Sequence, residues 1–361
     1  MKKRRIMLPI IPVSLAIILT GCFQGEQSLN NKNEEIDPPK ENAEAVNDLE
    51  KAGKGEEKAV SKSDDKTSET VSRQLYLIDS NGMVASQTLE LPVPESKEVA
   101  AQALEYLVKG GPVTQLLPNG FQGVLPQGTK VLGMNLKKNG TLVVNVSKDF
   151  KNYKKKNEAK ILQAMTFTLT QFDNVKNIKL EINGKMQNAM PVNGTPIGNG
   201  YSRANGINLV QSDTVDLMES KPVTLFFPSV QGENQYFVPV TKYVNVSEGD
   251  VYSSIVQELV EGPGVSTNLQ HVFNEQAELV SSPSINDGVL ELEFSQGVLK
   301  NSDKAVIPDK VMETLVRTLT ADESVEAVEV KVKDVKTLFN EEGKPYTKPV
   351  TTQMFVPTEK L

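Results

Sequence analysis

Few side chains in this 361-residue chain could do chemistry, since it holds one histidine and one cysteine. His271 could act as a general base for a serine nucleophile or as a zinc ligand, but both roles need partners at suitable spacing. No second His or Cys accompanies it, so it reads as an ordinary loop residue. Glu291 and Glu293 lie two apart and would project from one face of a strand, as the paired carboxylates of a glycoside hydrolase might. The same alternation sends Leu290, Leu292 and Phe294 to the other face, which makes the glutamates the solvated side of a half-buried strand. Leu125-Pro126-Gln127-Gly128-Thr129 is close to a sortase signal with its last two residues reversed, and it is internal. Pro126 fixes φ and Gly128 permits a positive φ, so this stretch reads as a turn in which a binding role stays open. The chain has no Gly-Lys-Ser/Thr phosphate loop, dinucleotide fingerprint, zinc spacing or calcium loop. The expectation is no catalytic residue, no metal site, no cofactor and no enzyme activity.

Cys22 has a setting of its own. Lys2, Lys3, Arg4 and Arg5 form a positive n-region, and Ile6 to Leu19, interrupted by Pro9 and Pro12, form an apolar h-region too short to span a bilayer. Leu19-Thr20-Gly21-Cys22 then fits the bacterial lipobox, in which the thiol receives a diacylglyceryl group and the cysteine becomes the new N-terminus. Cys22 is therefore the expected lipidation site, and residues 1–21 the signal peptide. Acyl chains stabilise membrane attachment by about 0.8 kcal/mol per buried methylene, so membrane lipid is the first expected partner. The expected location is the exported side of the cell membrane. Without another cysteine, the exported body must be stable through its core alone. The sequons at Asn139, Asn145, Asn193 and Asn245 are incidental in such a bacterial lipoprotein.

The formal net charge is −7, and removal of residues 1–21 takes away four positive charges. So acidic a chain does not suit nucleic acid, and anionic head groups would repel it. Lipid, not charge, would hold it at the membrane.

Stepping along the chain, residues 22–73 comprise the lipidated cysteine and a charged, apolar-poor segment that cannot bury enough surface to fold. As a flexible tether of ~50 residues it would reach about 40 Å. From Leu75 a pattern begins that starts again at Val223. Leu75–Ile78 and Val223–Phe227 read as strands. Residues 97–109 and Val251–Glu261 read as helices ending in Leu107-Val108-Lys109-Gly110 and Leu259-Val260-Glu261-Gly262. Hairpins centre on Asn139-Gly140 and Asp287-Gly288. Leu142, Val144 and Val146 alternate after the first turn, as Leu290, Leu292 and Phe294 do after the second. A second helix carries Ile161, Leu162, Met165, Leu169 and Phe172, matched by Val311, Leu315, Val316 and Leu319. Each runs through Thr-Leu-Thr (168–170 and 318–320) into a closing strand, 178–182 or 328–332.

The fold class that follows is α+β: two tandem repeats, each a small, mostly antiparallel sheet packed by two helices. The expected boundaries are 74–190 and 222–350 for the repeats, with 191–221 as a linker and 351–361 as a tail.

The lipobox, the charged tether and the paired Leu-Val-x-Gly and Thr-Leu-Thr units together resemble the GerM family, sporulation and germination lipoproteins with tandem GerMN domains. The resemblance spans about residues 75–350. It is better in the first repeat, where Gly123-Val124-Leu125-Pro126-Gln127-Gly128-Thr129 matches the family loop, whereas the second repeat has 273–284 in its place. The resemblance implies a fold like the ring-building motif of secretion rings. It also implies a scaffold between mother cell and forespore membranes that helps place the SpoIIQ and SpoIIIAH channel complex, with self-association possible through similar units. It brings no catalytic residues. A solute-binding lipoprotein and a peptidoglycan-acting enzyme are the competing readings. The weaker match of the second repeat suggests that it has diverged toward a specific partner.

Overall fold

In a computed structural model, which describes residues 70–94, 99–210, 220–245, 250–264 and 267–359, both repeats are built in the same order. The first opens with a hairpin, β1 (Thr70–Ile78) and β2 (Val84–Pro92), followed by helix α1 (Val99–Glu105). Strands β3 (Val131–Leu136) and β4 (Thr141–Val146) come next, then α2 (Glu158–Leu169), β5 (Asn177–Ile182) and the short β6 (Lys185–Gln187). The second repeat has the hairpin β7 (Ser220–Gln231) and β8 (Asn234–Asn245), then α3 (Val251–Glu261). It closes with β9 (Ser284–Asn286), β10 (Val289–Phe294), α4 (Asp309–Leu319) and β11 (Ala327–Val332).

Two sheets carry the closing halves, ordered β3-β4-β5-β6 and β11-β10-β9. β4 and β5 run parallel, with Leu142 opposite Ile178 and Val146 opposite Ile182. β10 and β11 are also parallel, with Leu290 opposite Val328 and Phe294 opposite Val332. A parallel pair needs a crossover, and α2 and α4 supply it. The remaining ladders are antiparallel. The register is set alike in each repeat: the Gly140 carbonyl accepts from the N–H groups of Lys176 and Asn177, as Gly288 does from Glu326 and Ala327.

The alternating residues read from the sequence form the core. Leu142, Val144, Val146, Leu290, Leu292 and Phe294 are all fully buried. α2 is buried nearly all round, including Gln163, Thr166 and Thr168, because β1 and α1 pack against it while its other side covers the sheet.

The sequence pattern marks β1 and β7 but not their hairpin partners β2 and β8. Val84 to Gln87 are consecutively buried, as are Tyr236 to Lys242, so both faces of these strands are covered and no period of two survives. β1 also begins at Thr70, so residues 70–73 belong to a strand and not to the tether.

The helix expected over 97–109 ends at Glu105. Residues 107–109 leave it to pair with a loop: Val124 and Leu125 donate to the Leu107 carbonyl, and Lys109 donates to that of Leu125. Gly123 permits this approach, since a Cβ there would lie 2.8 Å from the Leu107 carbonyl oxygen.

The start of the 191–221 linker is part of the first repeat. Tyr201 pairs with Ile178, as Val350 pairs with Val328 in the second repeat. Ile197, Tyr201 and Ile207 are buried. The end of that span, from Ser220, is already β7. The expected tail is likewise partly fixed: Thr352–Glu359 forms a 3-10 stretch, and Phe355 packs against the core.

Candidate functional site

Cys22 lies outside the described residues. The other residues with chemical potential take structural positions. The Nε2 atom of His271 lies 2.6 Å from the Val260 carbonyl oxygen. Its ring covers Gly262, where an added Cβ would come within 2.8 Å of it. Glu291 and Glu293 share the partly exposed face of β10, Glu291 paired with Lys331 at 2.6 Å and Glu293 accepting from Ser281 at 3.0 Å. In the Leu125–Thr129 stretch, the Thr129 hydroxyl donates to the Pro126 carbonyl at 2.7 Å and Gly128 has φ +82°, the expected turn. Among the described residues no group of three or more His, Cys, Asp or Glu is arranged to hold a metal ion, and no helix is long and apolar enough to cross a membrane.

Two features are assembled only in three dimensions. The first is the junction between the repeats, where β2 and β8 lie side by side. Asn208, at φ +45°, inserts its amide between them. Its Oδ1 accepts from the Val84 N–H at 2.9 Å, and its Nδ2 donates to the carbonyls of Val84 at 2.7 Å and Pro239 at 2.8 Å. Proline has no N–H to offer a neighbouring strand, so a side-chain amide completes the contact there. Ile207 and Thr241 exchange two further bonds: the Ile207 N–H donates to the Thr241 hydroxyl, and the Thr241 N–H donates to the Ile207 carbonyl.

At the hairpin tips, the Tyr236 hydroxyl donates to Asp79 Oδ2 at 2.9 Å, and Asp79 Oδ1 also accepts from the Met83 N–H. Burial first, and then the Asp79 charge, pushes the Tyr236 phenol up to about 12. Phe121 meets the Tyr236 ring edge-on at 4.8 Å. Ser80 donates to Gln231, and Asn268 to Asn81, across the same gap.

The second feature is a cleft of about 590 Å³ in the first repeat. Ile78, Val124 and Pro126 contribute apolar surface, Lys109, Lys154, Lys156 and Lys160 contribute charge, and no Asp or Glu lines it. The nearby carboxylate, Glu158 at the start of α2, is buried and turned elsewhere. It accepts from the N–H groups of Val192, Asn193 and Thr195 and from the Tyr153 hydroxyl at 2.8 Å. Burial disfavours its charge, but the bonds from Thr195, Asn193 and Tyr153 outweigh it and hold the carboxyl below its ordinary range. Burial first, and then Glu158, raise the Tyr153 phenol.

The sequence offers one sign of this cleft, the lysine-rich run from 151 to 160 beside the Leu125–Thr129 loop. It offers none of the junction beyond an Asn able to take a positive φ. Outside these features, β3 and β9 are outermost strands of their sheets and carry Leu132 and Ile285, 51% and 41% exposed.

A family model described as Germane, sporulation and spore germination, matches residues 74–188 and 224–337. The chain is 41% identical over 362 residues to the spore germination protein GerM of Bacillus subtilis (strain 168), with 97% of each chain covered. The solved tandem GerMN domains of the sporulation protein GerM from Bacillus subtilis superpose with a TM-score of 0.72 at 45% identity. That match covers 78% of this chain and 96% of the solved one.

Proposed function

The chain belongs to the Germane family of sporulation and spore germination proteins, and on that basis we propose that it is a non-catalytic, lipid-anchored scaffold of the cell envelope. In this reading Cys22 carries the lipid, and the two GerMN repeats dock or localise a transenvelope channel complex between mother cell and forespore membranes. The SpoIIQ and SpoIIIAH assembly is the proposed partner, and the outer strands β3 and β9 are candidate contact edges, for partners or for a second copy.

The observation that carries the reading is the junction at Asn208, Thr241 and the Asp79–Tyr236 pair. It joins the repeats through buried polar bonds, so two docking faces would be presented at one spacing. A partner that engages both then avoids the entropy cost of orienting two loose modules.

The test is made in sporulating cells that carry either the native chain or Cys22→Ala, with SpoIIQ fused to a fluorescent protein. The scaffold reading expects Cys22→Ala to leave the membrane fraction and the SpoIIQ signal to disperse. Retention of the variant in the membrane, together with an unchanged SpoIIQ pattern in cells lacking the chain altogether, would sink it.

A further inference from the structure

We propose that the cleft of the first repeat is a binding site for an acidic, extended peptide segment of a partner protein. The charge of the site runs against that of the whole chain, which is net acidic, while four lysines and no carboxylate line the cleft. Lys160 donates to the Gly82 carbonyl and so braces the wall. Lys109, Lys154 and Lys156 make no ion pair among the described residues, so their charges are available to a ligand.

The remaining lining distinguishes peptide from phosphate. Gln122, Gln127, Asn152 and Asn157 bring side-chain carboxamides, each with a donor and an acceptor that match those of a peptide backbone. The apolar floor of Ile78, Val124 and Pro126 can take the side chains that alternate with acidic ones on an extended strand. No arginine lines the cleft, and the planar guanidinium fork is the side chain suited to bidentate phosphate recognition.

The second repeat differs at the matching place. Lys109 aligns with Glu261 through the shared Leu-Val-x-Gly ending, which reverses the charge. The His271 ring sits over Gly262, whereas the equivalent Gly110 has only the Gln127 amide 3.6 Å from where a Cβ would stand. Lys310 is held by the Gln270 side chain at 2.9 Å. The charge reversal at Glu261 and the His271 ring over Gly262 change that wall, so the peptide site is assigned to the first repeat.

The experiment uses the intact chain in detergent and a fluorescein-labelled ten-residue peptide of alternating glutamate and alanine, followed by fluorescence anisotropy. Saturable binding is expected, weakened about tenfold or more by K109Q/K154Q/K156Q and weakened by added salt. The control K333Q/K336Q/K348Q removes the same charge from exposed positions of the second repeat and should bind as the native chain does. Thermal unfolding of both variants verifies that they fold. Three results each overturn the proposal: no binding to the native chain, equal weakening by both triple variants, or stronger competition by polyphosphate than by polyglutamate of equal charge. The last would make the cleft a phosphate-polymer site.

Discussion

The backbone N–H of Tyr76 donates to the hydroxyl of Thr168 at 3.0 Å, across 92 residues of sequence, inside the core of the first repeat. Phe226 donates to Thr318 at the same distance and the same 92-residue separation in the second. The repeated Thr-Leu-Thr thus has a physical meaning. Its first threonine ties the crossover helix to the opening hairpin, and its second, Thr170 or Thr320, donates its hydroxyl back to the carbonyl four residues earlier, Thr166 or Val316.

Replacing Thr168 or Thr318 by Val keeps the shape but leaves a strand N–H without its acceptor, a cost of about 1–3 kcal/mol. Urea denaturation should show this loss for each single variant, with Ser restoring most of it. A Val variant as stable as the native chain would mean that the bond contributes nothing.

Asn208→Ala should loosen the junction, since the Val84 N–H, the Val84 carbonyl and the Pro239 carbonyl all lose the same partner. A destabilisation of about 2 kcal/mol is expected from the buried groups left unpaired. Limited proteolysis between the repeats should accelerate, and small-angle scattering should report a broader distribution of sizes. Unchanged proteolysis would place the strength of the junction elsewhere.

Glu158 predicts acid sensitivity. Its carboxyl is held below the ordinary range when folded, so its contribution is present above the unfolded pKa and is lost as pH falls through the folded one. Glu158→Gln should destabilise the chain by about 1–3 kcal/mol at pH 7. The gap between variant and native chain should narrow as the solution is made more acidic. A gap that stays constant with pH would show that the carboxylate charge does not matter.

Tyr236 gives the opposite sign at high pH. Its phenol is pushed from 10.0 up to about 12 on folding, so the stability it brings is complete below its unfolded pKa and is lost as pH rises between those values. Tyr236→Phe should flatten the alkaline loss of stability. A difference absorbance titration should show one fewer late-ionising tyrosine in the variant; the same late titration in both would exclude Tyr236 as its source.

The match between sequence and structure varies by element for one reason. β5 and β10 alternate because one face is buried, and the hairpins that lead into β4 and β10 carry Asn139-Gly140 and Asp287-Gly288 at their turns, so both signals are local. β2 and β8 were illegible because they are covered on both sides, and one covering layer is the other repeat. The early end of α1 is hidden because the segment after it exchanges helix bonds for bonds to Val124 and Leu125, which no helical propensity encodes.

What the sequence by itself determined is therefore the duplication, the α+β class, the family and most of the core, since periods of 2 and 3.6 and glycine turns act over a few residues. The tertiary structure alone decided where the polar groups went. Glu158 finds its partners 34 to 37 residues away in what looked like a linker, Asn208 reaches back 124 residues to Val84, and Asp79 meets Tyr236 after 157. The basic cleft likewise gathers Lys109 from the segment that follows α1, Pro126 from the loop and Lys156 from the approach to α2. Such contacts leave no local pattern, because chain folding and not spacing along the chain brings the atoms within hydrogen-bonding distance.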